Sequence, residues 1–187
     1  MTRALLRSCC LALLVIVPVV APAHATELVV NGDLETVNGG IRIGPEGFVE
    51  GNPWQFTWFV PHDVAGLIKL MGGRKKFVAR LDRLFAEGRY WHGNEPPHHI
   101  AYLYDHAGAP WRTQEEVRRI VASEYGLGPA GLKGNDDTGQ MSAWYVFTAL
   151  GFYPVTPGSD VYVIGSPRFP RAKIDVGEGR KFIVEAD

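Results

Sequence analysis

The sequence predicts a mainly α protein with a β C-terminus, and three observations carry that prediction. Apolar residues recur at helical spacing through the middle of the chain, as at Phe77, Leu81, Leu84 and Phe85. After Pro154 the texture changes to short β-rich runs divided by glycine and proline. The first 25 residues fit neither region and have the organisation of a targeting segment.

That segment comes first. Arg3 and Arg7 form a basic start, Leu11 to Val20 is apolar apart from Pro18, and Ala23-His24-Ala25 is a small-x-small cleavage site. The apolar run is short for a bilayer span, so residues 1–25 are expected to be a signal peptide and the chain to be secreted or periplasmic. Cys9 and Cys10 are the only cysteines, so residues 26–187 carry no disulfide. With 19 basic and 20 acidic residues, the formal charge of −1 gives no basis for binding nucleic acid or an anionic membrane.

Residues 26–46 read as a strand ending in the Asn31-Gly32 turn, followed by a Gly-rich joint from Val37. Arg74 to Phe85 is a helix. Thr113 is expected to open another, with Glu116 completing a capping box and Val117, Ile120, Val121 and Tyr125 forming its apolar face. Gln140 to Leu150 is apolar nearly all round, which predicts a buried helix stopped by Gly151. Val161–Ile164, Ala172–Val176 and Lys181–Ala186 are strand candidates, the last two joined by a turn at Gly177-Glu178-Gly179.

Chemistry concentrates in three polar blocks. Gly47 to Trp58 contains Glu50, Gly134 to Trp144 contains Asp136 and Asp137, and His92 to His99 lies between them. Carboxylates set among glycines, amides and tryptophans are the furniture of a sugar-cleaving site, where two carboxylates work on opposite sides of one bond. Trp54, Gln55, Asp63 and His98 are candidates for contacting the sugar. Asp136 and Asp137 are neighbours whose side chains diverge, so one can cap the following helix while the other faces a sugar. Asn94 and Glu95 offer hard oxygen ligands, which suit Ca²⁺. Adjacent His98 and His99 would point about 100° apart on a helix and miss the i, i+4 spacing of a zinc site. His62-Asp63 has no serine or cysteine nucleophile motif beside it.

At Phe48-Val49-Glu50-Gly51-Asn52-x-Trp54-Gln55, Phe59-Val60-Pro61-His62-Asp63-Val64, His92-Gly93-Asn94-Glu95-Pro96, and Gly134 to Trp144, the chain resembles family 92 glycoside hydrolases, the calcium-dependent exo-acting α-mannosidases. The resemblance runs from about Gly47 to the C-terminus. It implies that residues 47–155 are the C-terminal part of an (α/α) toroid, and residues 156–187 the start of a β-sandwich region. It implies an inverting reaction on a mannose-terminated glycan, such as an N-glycan or mannan. Glu50 then stands where the family has its general acid and Asp137 where it has its base, with Asn94 and Glu95 in the calcium site. Asn135 stands where some members have an aspartate that assists the base; an amide can orient water but takes no proton.

A toroid of six helical hairpins needs roughly twelve helices, more than this length accommodates, and four or five are legible. The stretch between Phe85 and Tyr90 is also shorter than in relatives, so no linkage preference carries over. The shortfall predicts a truncated chain with its joint near Val37 to Glu46. Besides the catalytic reading it leaves a second: a non-catalytic carbohydrate-binding remnant, or a fragment needing a complementary chain. The sequence sets no oligomeric state.

Overall fold

The computed structural model describes residues 50–186. The expected signal peptide, the strand and joint of residues 26–46, and Gly47 to Val49 lie outside the described residues.

The order of elements follows from local chemistry. Asn52 caps α1 (Pro53–Phe56) through a full capping box: its side chain accepts from the Gln55 amide, and the Gln55 side chain accepts from the Asn52 amide. Asp63 caps α2 (Val64–Leu70) by accepting from the Gly66 amide at 2.8 Å. Gly73 precedes α3 (Arg74–Ala86), where the expected face of Phe77, Leu81, Leu84 and Phe85 is buried. A 3₁₀ turn (Ile100–Tyr102) runs into α4 (Leu103–His106), and α5 (Pro110–Glu124) follows.

Here the expected start of α5 is corrected. The helix begins at Pro110, three residues before Thr113, because proline at the first helical turn has no amide to leave unpaired. Thr113 is buried inside the helix and donates to the Ala101 carbonyl at 2.9 Å. Glu116 is buried too and pairs with Arg119 at 2.7 Å rather than with a cap.

α6 (Gln140–Leu150) ends at Gly151, whose φ of 95° puts it in the left-handed region that closes a helix. It is not buried all round: Met141, Trp144, Thr148 and Ala149 face inward, whereas Ser142 and Val146 are exposed. Its apolar composition exceeds what the described residues cover.

Two small antiparallel pairs complete the chain. β2 (Val163–Ile164) falls within the expected strand of Val161–Ile164, and it pairs with β1 (Phe152–Tyr153), a strand that local patterning did not reveal. β3 (Arg171–Asp175) and β4 (Lys181–Glu185) form the expected hairpin, with Arg171 opposite Glu185 and Asp175 opposite Lys181.

The core lies between α3, the 100–104 segment, α5 and α6. Ile100 to Tyr104 are completely buried, as are Phe77, Leu81, Leu84, Val117 and Trp144. Burying each large apolar side chain contributes about 1.5–3 kcal/mol. This fold is helix-rich with short antiparallel strands at its C-terminal end.

Candidate active site

The three polar blocks converge, and the contacts that join them can be followed one by one. Asn52 Nδ2 donates to the Arg89 carbonyl at 3.3 Å and Gln55 Nε2 to the Trp91 carbonyl at 2.8 Å. Those two bonds lay the Glu50 block along the approach to His92. Asn94 Nδ2 then donates to the Glu50 carbonyl at 3.1 Å.

The segment from His92 to His99 is latched to the start of α6. The Trp144 indole donates to the His98 carbonyl at 2.9 Å, and the Gln140 amide lies 3.3 Å from His98 Nδ1. His92 bridges two tyrosines, Tyr90 and Tyr125, each at 2.7 Å. The direction of this chain follows from its end. Tyr125 gives its proton to the Met141 carbonyl at 3.0 Å. His92 Nε2–H must therefore donate to the Tyr125 oxygen, which leaves Nδ1 to accept from Tyr90. Burial pushes the His92 pKa down to about 2 and that of His98 to about 4, so both rings are neutral at ordinary pH.

One contact sets how closely the loops approach. A Cβ placed on Gly134 would lie 2.0 Å from the Gly93 carbonyl oxygen, and Gly134 has a φ of 76°. Only a residue without a side chain lets the two backbones cross here.

The result is a cleft of about 500 Å³ lined by Glu50, Phe59, Glu95, Pro96, Asp137 and Thr138. Four non-glycine residues among those described have positive φ, and three of them line this cleft: Glu50 at 62°, Asp137 at 47° and Thr138 at 56°. Such conformations cost of order 1–3 kcal/mol each and persist where the surroundings enforce them, commonly at functional sites. Desolvation raises the Glu95 pKa, and a hydrogen bond with Asp137 and the charges of Asp137 and Glu50 add to the rise. The three carboxyls are therefore close enough to sense one another.

The remaining candidates divide. Asp136 accepts from the Ser142 amide at 3.0 Å in the first turn of α6, while neighbouring Asp137 faces the cleft. Asn135 is exposed beside them. Trp54 does not line the cleft; the Arg89 guanidinium lies 3.7 Å above its ring centroid and that of Arg83 at 5.3 Å. Gln55 is fully buried with its side chain committed to the cap and to Trp91. Asp63 is exposed and caps α2. His98 is buried, and its Nε2 donates to the His92 carbonyl at 3.1 Å. Glu50 is exposed, and the apolar pair that precedes it, Phe48 and Val49, lies outside the described residues. Sequence reasoning missed Phe59, Pro96 and Thr138. Thr138 follows the Asp-Asp pair directly, but nothing in periodicity marks Phe59.

Glu95 and Asp137, with Asn94 beside them, are hard oxygen donors, the chemistry a Ca²⁺ ion selects. Among the described residues no three His, Cys, Asp or Glu side chains form a ready cage. A cation here would be held by few carboxylates and complete its shell with amide, main-chain, sugar or water oxygens.

A helix-rich chain that gathers several carboxylates in one cleft defines a class of candidate glycosidases. Residues 26–187 match the Glycosyl hydrolase family 92 catalytic domain, and the chain belongs to that family. It is 40% identical over 125 residues to an uncharacterized secreted glycosidase of Arthroderma benhamiae, covering 67% of this chain and 16% of that protein. The structure resembles a family GH92 α-mannosidase of Bacteroides thetaiotaomicron solved with mannoimidazole, with a TM-score of 0.73 and 36% identity over 88% of this chain and 26% of the other. It also resembles a family GH92 inverting mannosidase of the same bacterium, with a TM-score of 0.67 and 42% identity over 74% of this chain and 22% of the other. The chain thus spans about a quarter or less of the length of these relatives.

Proposed function

We propose that this chain is an exported glycosidase of the α-mannosidase type that removes terminal mannose from N-glycans or mannans with inversion at the anomeric carbon. The observation that carries the reading is the convergence of Glu50 and Asp137, from opposite ends of the helical region, on one cleft that also holds Glu95. All three ionisable groups lining it are acids, which suits a neutral sugar and a cation and repels an anionic substrate. The Arthroderma relative is named a secreted glycosidase, and no helix among the described residues is long and apolar enough to cross a membrane.

In this reading Glu50 donates a proton to the leaving oxygen as the glycosidic bond breaks. Asp137 takes a proton from a water that attacks the opposite face of the sugar. Inverting pairs stand roughly 6.5–9.5 Å apart to admit that water. Asn135 orients the water through its amide. Asn94 holds the Glu50 main chain in place and, with Glu95, would hold Ca²⁺. When bound, that ion supplies charge to bind and order the sugar hydroxyls.

The test is proton NMR of a mannobiose digest by the chain of residues 26–187 with Ca²⁺. The expected result is β-mannose as the first product, lost in Asp137→Asn and after EDTA treatment. Release of α-mannose first would refute inversion, and turnover undiminished in Asp137→Asn would remove Asp137 from the role of base.

The exposure of Glu50 favours a second reading, since a general acid needs its proton held near neutral pH and burial is the usual means. In that reading the cleft binds carbohydrate without cleaving it. Saturable mannoside binding with no sugar released over days would select it.

A further inference from the structure

The sequence pointed to Trp54 as the aromatic partner of the sugar, but the structure leaves that ring beneath two guanidinium groups. We infer instead that Phe59 is the stacking platform of the cleft, taking the C–H face of a neutral pyranoside while the carboxylates face its hydroxyls. The inference rests on the proposed mannosidase reading of the same site and adds the residue that recognises the ring.

Its position supports the role. Phe59 is 51% exposed, and of the exposed aromatic residues Phe59, Trp91, Trp111, Tyr162, Phe169 and Phe182, it alone lines the cleft with Glu50, Glu95 and Asp137. The open ring and the three carboxyls give the cleft one apolar wall and one polar wall. A pyranose matches that mixed wall, with axial hydrogens on its apolar side and hydroxyls around its rim.

The ring is also fixed before any ligand arrives. It stands edge-to-face against Phe56 at 6.2 Å and 66°, and against His99 at 5.6 Å and 74°. Its own amide donates to the Phe56 carbonyl at 3.0 Å, and the next amide, of Val60, donates to the Trp58 carbonyl at 2.8 Å. His99 is itself held by the Trp58 carbonyl at 2.8 Å. Little rotamer freedom remains to be lost on binding, which is what a rigid platform requires.

The experiment is calorimetric titration of the chain of residues 26–187, in Ca²⁺, with methyl α-mannoside and with mannoimidazole. Phe59→Ala and Phe59→Leu are expected to weaken binding about three- to tenfold, in line with the worth of one aromatic contact. Phe59→Trp is expected to keep the affinity and to report binding through its fluorescence. The leucine variant fills the space without an aromatic face, so a fold that merely needs bulk at this position would spare it. Wild-type affinity in Phe59→Leu, whatever the alanine variant does, would overturn the platform while leaving the mannosidase reading intact. If the wild-type chain binds neither ligand, with or without Ca²⁺, the mannosidase reading falls and the platform with it.

Discussion

The helical region and the C-terminal β region obey the same local rules and end in different physical states. In the helical region, pattern and burial coincide: the apolar face of α3 and the inner face of α5 are buried, and Trp144 is sealed among Tyr102, Tyr125 and His92. In the β region the hairpin register is regular, yet Ile164, Phe169, Val176, Phe182 and Ile183 are all exposed. Hydrogen bonding alone stabilises a two-stranded hairpin only marginally in water. The comparison teaches that regular secondary structure does not by itself make a core, and that the site sits wholly on the side that has one.

Acid should break the comparison most strongly. Unfolded histidine titrates near 6.5, whereas folded His98 and His92 titrate near 4 and 2 because burial opposes their charge. Between pH 6.5 and 4 unfolding therefore takes up protons, so stability is full above about 6.5 and falls as pH drops. The slope is about 1.4 kcal/mol per pH unit for each histidine. The raised pKa of Glu95 works in the opposite sense and offsets part of this. Thermal melts by near-ultraviolet circular dichroism, dominated by the buried aromatics, should shift steeply over this range. A midpoint flat from pH 7 to 4.5 would contradict the burial of both rings.

Next in size is Gly134→Ala, which places a methyl group against the Gly93 carbonyl at a positive φ. The expected cost is about 2–3 kcal/mol. Amide resonances of Asn94 and Glu95 should move while those of α3 stay in place. A silent substitution would mean that the loops cross more loosely than described.

The smallest effect is expected across the divide. Phe182→Ser in β4 should change stability by no more than about 0.5 kcal/mol, because the side chain is already 49% exposed. It should also reduce aggregation measured by light scattering. A loss of several kcal/mol would show that the hairpin is covered after all, by another copy or by another part of the chain.

Legibility in the sequence followed the range of the interactions. α3 and the end of α6 were readable because periodicity and a terminal glycine are local signals. The three polar blocks stood out as continuous runs. The capping-box pattern at Thr113 misleads because Pro110 begins the helix about one turn earlier. Phe59, the cover of Arg89 over Trp54, and the crossing of Gly93 with Gly134 were hidden because each depends on where distant segments meet. β1 was missed for the same reason: two residues have no period, and their partner lies beyond Pro157 and Gly158.

The positive φ angles of Glu50 and Asp137 have a consequence for how damage to this chain would look. A left-handed backbone welcomes glycine, so replacing either acid by glycine removes the functional group and relieves local strain together, which offsets the extra freedom glycine gives the unfolded chain. Such lesions would leave the cell's stock of the chain undiminished or raised. A survey that ranked variants by abundance would score the loss of either carboxylate as an improvement, and only an assay of sugar chemistry would register the harm.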